Sequence, residues 1–144
     1  MTENKFKYQE LLDKLVSEGC QMPPLFEPNG IQACRFAFSS SKQNHIPQYV
    51  INPRRMLDDI NKGKSTTSLI ALSCFATSPQ AELFYNNLRK AFKNAGQAIG
   101  DSLAEGKLTN EDGMKTAESL NGHFDFYEYE KCDLNKSFKI TKSL

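Results

Sequence analysis

The sequence predicts an α+β fold: one domain over residues 1–144, built on a mixed or antiparallel sheet of about four to five short strands packed by three to four helices. Three observations predict it. Some segments carry apolar residues at helical spacing, and others are short β-rich runs bounded by turn residues. The two kinds of segment do not alternate strictly, which disfavours a doubly wound parallel sheet. No repeat, linker or low-complexity tract divides the 144 residues, an ordinary length for one domain.

Residues 5–18 read as a helix, because Tyr8, Leu11, Leu12, Leu15 and Val16 form one stripe and Gly19 supplies a stop. Residues 22–30 hold three prolines and close on Asn29-Gly30, so they form a loop ending in a tight turn. Ile31 to Phe38 suits a buried strand, the polar run 39–44 a loop, and residues 48–51 a second short strand. Asn52-Pro53 starts a helix with Met56, Leu57 and Ile60 inward, ending before Gly63. Ser68 to Phe75 is the most apolar stretch and reads as the central strand.

Ser78-Pro79 starts a further helix whose stripe is Phe84, Leu88, Ala91, Phe92 and Ala95, with Gly96 as terminator. Residues 97–105 fit a short helix or a strand. Gly106 and Gly113 mark turns around a segment opened by Thr109 and Asp112. Residues 123–130 alternate, with Phe124 and Phe126 on one face and Tyr127 and Tyr129 on the other. Residues 137–141 supply a final edge strand.

Composition bounds the function. Net charge is +1, from 18 Lys and Arg against 17 Asp and Glu, which argues against a polyanionic partner. Four cysteines sit at 20, 34, 74 and 132 without CxxC spacing. The chain opens without an apolar leader, and no apolar run is long enough to cross a bilayer. These features predict a cytoplasmic protein with free thiols, no disulfide framework and no membrane segment.

No motif for metal, nucleotide or nucleophilic chemistry is complete. His45 and His123 have no second His or Cys at ligand spacing, so no metal is expected. Gly63-Lys64-Ser65 matches only the end of a phosphate-binding loop, and an apolar strand follows it where a helix would be needed. Cys74 reads as a small buried hydrophobe, although His123 could serve it as a base. Arg54, Arg55, Lys62 and Lys64 flank one short helix, and Arg89, Lys90 and Lys93 lie on another. They could hold the phosphates of a nucleic acid, weakly, but Asp58, Asp59 and Glu82 dilute them and favour a solvated face.

Arg35, the Ser65-Thr-Thr-Ser68 run and Glu128-Tyr-Glu130 follow one another in an order that resembles the Arg–Ser–Glu arrangement of ADP-ribosyltransferases. The resemblance implies that Arg35 holds an NAD pyrophosphate and that the run ending at Ser68 braces the site. It implies that Glu130, with Glu128 beside it, stabilises an oxocarbenium-like transition state. The other reading is structural: Arg35 pairs with a carboxylate at a strand end, and the two glutamates line the solvent face of a sheet.

With no catalytic set complete, the sequence points to a small protein-binding or regulatory module without catalytic activity or cofactor. Its expected partner is another protein, and a homo-oligomer is compatible. The expected contact surface is Phe26 in the Pro-rich loop together with Tyr127 and Tyr129, provided the sheet buries only the opposite face.

Overall fold

All strand pairing among the described residues is antiparallel. A computed structural model describes residues 5–41 and 43–144. Residues 1–4, at the start of the chain, and Lys42, in the expected polar loop, lie outside the described residues.

The elements run α1 Gln9–Ser17, β1 Ile31–Ala37, α2 Gln48–Ile51, α3 Pro53–Asn61, β2 Leu72–Phe75, α4 Ser78–Ala91, α5 Ala95–Ile99, β3 Ser102–Leu108, β4 Gly113–Lys115, β5 His123–Glu128, α6 Leu134–Ser137 and β6 Lys139–Ser143. They form one α+β domain. Its sheet has six strands, in the order β4-β5-β2-β1-β3-β6, so it is one strand wider than expected and has β6 at an edge.

Local chemistry sets several boundaries. Asn29 and Gly30 are both left-handed, and the Ile31 N–H donates to the Pro28 carbonyl at 3.1 Å, closing the tight turn into β1. At α3 the Asn52 side chain accepts from the Arg55 N–H at 3.1 Å, with Pro53 opening the helix. Left-handed Gly63 follows the end of α3. The cap of α4 lies one residue earlier than the Ser-Pro pair suggests, at Thr77, whose side chain accepts from the Gln80 N–H.

Four expectations are corrected. Residues 48–51 form a helical turn rather than a strand, because the Val50 and Ile51 amides both donate to the Pro47 carbonyl. The expected strand 68–75 begins only at Leu72. The Thr66 hydroxyl accepts from the Ser68 N–H and winds Thr67–Ile70 into a 3-10 turn. In α4 the buried residues are Ala81 and Tyr85, while Phe84 is 39% exposed and Phe92, just past the helix, 60%. That helix ends at Ala91, and Gly96 lies inside α5. Gly106 sits within β3, paired with Ala33, instead of in a turn; it is glycine because a Cβ there would strike the Phe138 ring and the Ser137 carbonyl.

The ambiguous segment 97–105 holds both structures. α5 runs to Ile99 and β3 starts at Ser102, with left-handed Gly100 between them.

The sheet is covered on both faces. On the first, Ala33, Leu72, Cys74, Ala104, Phe124 and Phe126 pack beneath Cys132, Leu134 and Phe138 from the chain around α6. On the second, two helical groups sit side by side. Cys34, Phe75 and Leu103 pack against Ala81 of α4. Tyr127 packs with Leu12 and Leu15 of α1, Tyr49 of α2, Met56 of α3 and Ile70. The floor between the groups carries Ser73, His123 and Asp125, which are not fully covered.

Candidate functional site

Strand pairing opens the candidate site. β1 matches β3 over seven residue pairs but meets β2 at one, Cys34 with Phe75. Beyond that bridge the two central strands separate. Arg35 fills the break: its Nη1 donates to the Ser73 carbonyl, taking the place of a backbone partner. Its Nε donates to His45 Nδ1 at 2.8 Å.

A cleft of about 320 Å³ lies over this break, between α4 on one side and α2 with residues 43–46 on the other. Phe36, Phe38, Ile46, Phe84, Leu88 and Ile99 make its walls apolar. Among the described residues no carboxylate lines it. Burial and the Arg35 charge hold the His45 imidazole down at about 3, so it is neutral at ordinary pH and its Nδ1 lone pair is free to accept from Arg35. Among the described residues no carboxylate forms an ion pair with Arg35. The guanidinium is therefore a half-buried cation hydrogen-bonded to two neutral acceptors, with the Cys74 thiol beside it and the buried Glu128 carboxylate close enough to feel its charge.

Beside Arg35, Ser73 Oγ and His123 Nε2 lie 2.5 Å apart. Asp125 Oδ1 is 3.8 Å from that same nitrogen. Burial pushes the Asp125 carboxyl up, against the pull of His123 and the Ser68 hydroxyl. A hydroxyl nucleophile served by a histidine needs an acid on the far ring nitrogen to fix the tautomer and stabilise the imidazolium. Here the acid faces the near one, and the cluster is a cross-strand polar contact rather than a relay.

The residues singled out from sequence fall in different places. Arg35 borders the cleft. The Ser68 hydroxyl lies by Asp125. Glu130 borders a separate hollow with Lys5, Phe6 and Lys7. Glu128 is not on a solvent face but is buried, with Lys7 Nζ donating to its Oε2 at 2.7 Å and to the Cys132 carbonyl at 2.5 Å. Its Oε1 is enclosed without a hydrogen-bond partner among the described residues. Burial pushes the Glu128 carboxyl up against the pull of Lys7. Burial also disfavours the Lys7 ammonium, but the hydrogen bond and charge of Glu128 outweigh it and raise the group.

The expected aromatic surface is corrected at Tyr127, which is 2% exposed because α1, α3 and the 3-10 turn cover it. Tyr129 is half-buried and stacks on Phe6 with ring centroids 5.4 Å apart. Phe26 is exposed, held at the sheet edge by paired backbone bonds to Lys115. Among the basic residues, Arg55 and Lys64 flank Asp59 at 3.7 and 4.0 Å, and Asp59 also accepts from the Tyr49 hydroxyl at 2.8 Å. Arg54 and Lys62 are exposed. Cys74 and His123 lie on opposite faces of the sheet, and burial pushes the Cys74 thiol up to about 11.

Sequence reasoning missed Ser73 and weighed His45 only as a metal ligand. One signal was present for Ser73: it is the one polar residue inside Leu72–Phe75.

Fold and site together define an antiparallel α+β domain with a cationic, apolar-walled cleft at a break in its sheet. No known family, curated protein or solved structure matches the chain. Among the described residues no group of three or more metal-ligating side chains comes together, and no helix is long and apolar enough to cross a membrane.

Proposed function

We propose that the chain is a binding module without chemistry of its own, whose ligand carries a carboxylate on an apolar body and seats that carboxylate on Arg35. The observation that carries this reading is the half-buried guanidinium that borders an apolar-walled cleft and, among the described residues, forms no ion pair. A cation drawn away from water loses solvation that neutral acceptors restore only in part. A carboxylate supplies the rest, and it fits the planar fork of an arginine. The volume of about 320 Å³ accommodates a small aromatic or branched aliphatic group. Four free cysteines suit a cytoplasmic setting, and another protein is the natural source of such a ligand.

Calorimetric titration with 3-phenylpropionate and with 3-phenylpropanamide tests the reading. The acid binds and the isosteric amide does not. Ala98→Glu, which places a carboxylate at the exposed rim without touching the bonds of Arg35, abolishes binding of the acid. Equal affinity for acid and amide, or no binding of either, refutes the proposal.

A further inference from the structure

The cleft does not end at Phe84 and Leu88. Those two residues also wall a second hollow of about 420 Å³, which follows the same stripe of α4 from Gln80 to Ala91. Leu83 and Ala91 of α4 and Leu120 of the 116–122 loop supply its apolar surface. Leu83 is 62% exposed and Leu120 fully exposed, so neither contributes to the core. The remaining lining is three side-chain amides, Gln80, Asn87 and Asn121. Asn87 makes no side-chain hydrogen bond among the described residues, and neither do the amide nitrogens of Gln80 and Asn121. The first hollow thus offers a cation among aromatic rings, and the second offers leucines interleaved with amides.

We infer that the ligand is the carboxy-terminal segment of another protein, lying along α4 with its terminal carboxylate on Arg35. This inference rests on the carboxylate reading of the cleft and deepens it. Three features favour a peptide over a small acid. The amides match the N–H and C=O groups that an extended backbone presents, while the leucines match apolar side chains at alternate positions. Among the described residues no carboxylate lines either hollow, so none inside them competes for the chain end. The 14 residues of α4 give a track of about 21 Å, which about six extended residues cover.

Fluorescence anisotropy and calorimetry with three synthetic probes test it: acetyl-Leu-Ala-Ala-Leu-Phe as the free acid, the same peptide as its C-terminal amide, and acetylphenylalanine. The peptide acid binds about tenfold or more tighter than acetylphenylalanine, and amidation removes at least that much. Leu120→Ser, at a fully exposed position that leaves folding intact, weakens the peptide acid about fivefold and leaves acetylphenylalanine unchanged. A peptide acid that binds no tighter than acetylphenylalanine overturns the peptide assignment and leaves the carboxylate site standing. Failure of both acids to bind overturns the site itself. Peptide binding unaffected by amidation removes Arg35 as the anchor, and both claims fall with it.

Discussion

Acidification should loosen this protein through one residue. His45 is held neutral, first by burial and then by the Arg35 charge, with its pKa lowered to about 3. The unfolded chain returns it to about 6.5. A base whose folded pKa is depressed contributes stability above its unfolded pKa and loses it as pH falls through that value. At about pH 5 the unfolded state is almost fully protonated at His45 and the folded state almost not at all. Linkage then gives a loss of about 2 kcal/mol relative to pH 7. That figure depends on the unfolded value alone, as long as the folded one stays well below 5.

The control is His45→Asn. Position 45 has φ +66°, which asparagine tolerates, and the Asn Oδ1 can accept from Arg35 Nε where Nδ1 did. Glu128 and Asp125, whose carboxyls are raised, shift stability in the opposite direction on acidification and are common to both proteins. Urea unfolding at about pH 7 and pH 5 should show wild type losing about 2 kcal/mol more than His45→Asn. Equal losses would refute the account of a neutral, arginine-locked histidine.

Lys7→Met leaves the Glu128 carboxylate buried without its cation and should cost about 3 kcal/mol. The double variant Lys7→Met/Glu128→Gln should recover part of that loss, which a double-mutant cycle in urea measures. Gly106→Ala drives a methyl group into Phe138 and the Ser137 carbonyl and should lower stability by about 1–3 kcal/mol, read from the same transitions. Asn52→Ala removes the cap of α3 and should cost about 1 kcal/mol by thermal or urea unfolding. Wild type and Ser73→Ala should hydrolyse p-nitrophenyl butyrate at the same background rate, because Asp125 faces the wrong nitrogen of His123. Labelled NAD incubated with the protein and mixed acceptors should transfer no label.

The fold was largely legible where backbone chemistry is local. Asn52 with Pro53, Asn29 with Gly30, and the alternation through Phe124 and Phe126 each specify their element by capping, φ or burial. The misses arise where tertiary packing or a side-chain bond overrides pattern. Thr66 caps a turn inside an apolar run that reads as continuous strand. Phe84 and Leu88 lie at helical spacing yet face a cleft, because Ala81 and Tyr85 are the residues that meet the sheet.

Arg35 was visible, but its surroundings were not. The site arises because β1 and β2 part after one bridge, and no residue spacing encodes where two distant strands stop pairing. His45 and Ser73 are 10 and 38 positions from Arg35, and only the fold unites the three.

The most direct test follows the guanidinium itself. In nitrogen-15 NMR the side-chain signals of Arg35 should shift and saturate as 3-phenylpropionate is added, and should stay in place with 3-phenylpropanamide. If the acid binds while those signals do not move, the anion sits elsewhere and the cleft is not the site.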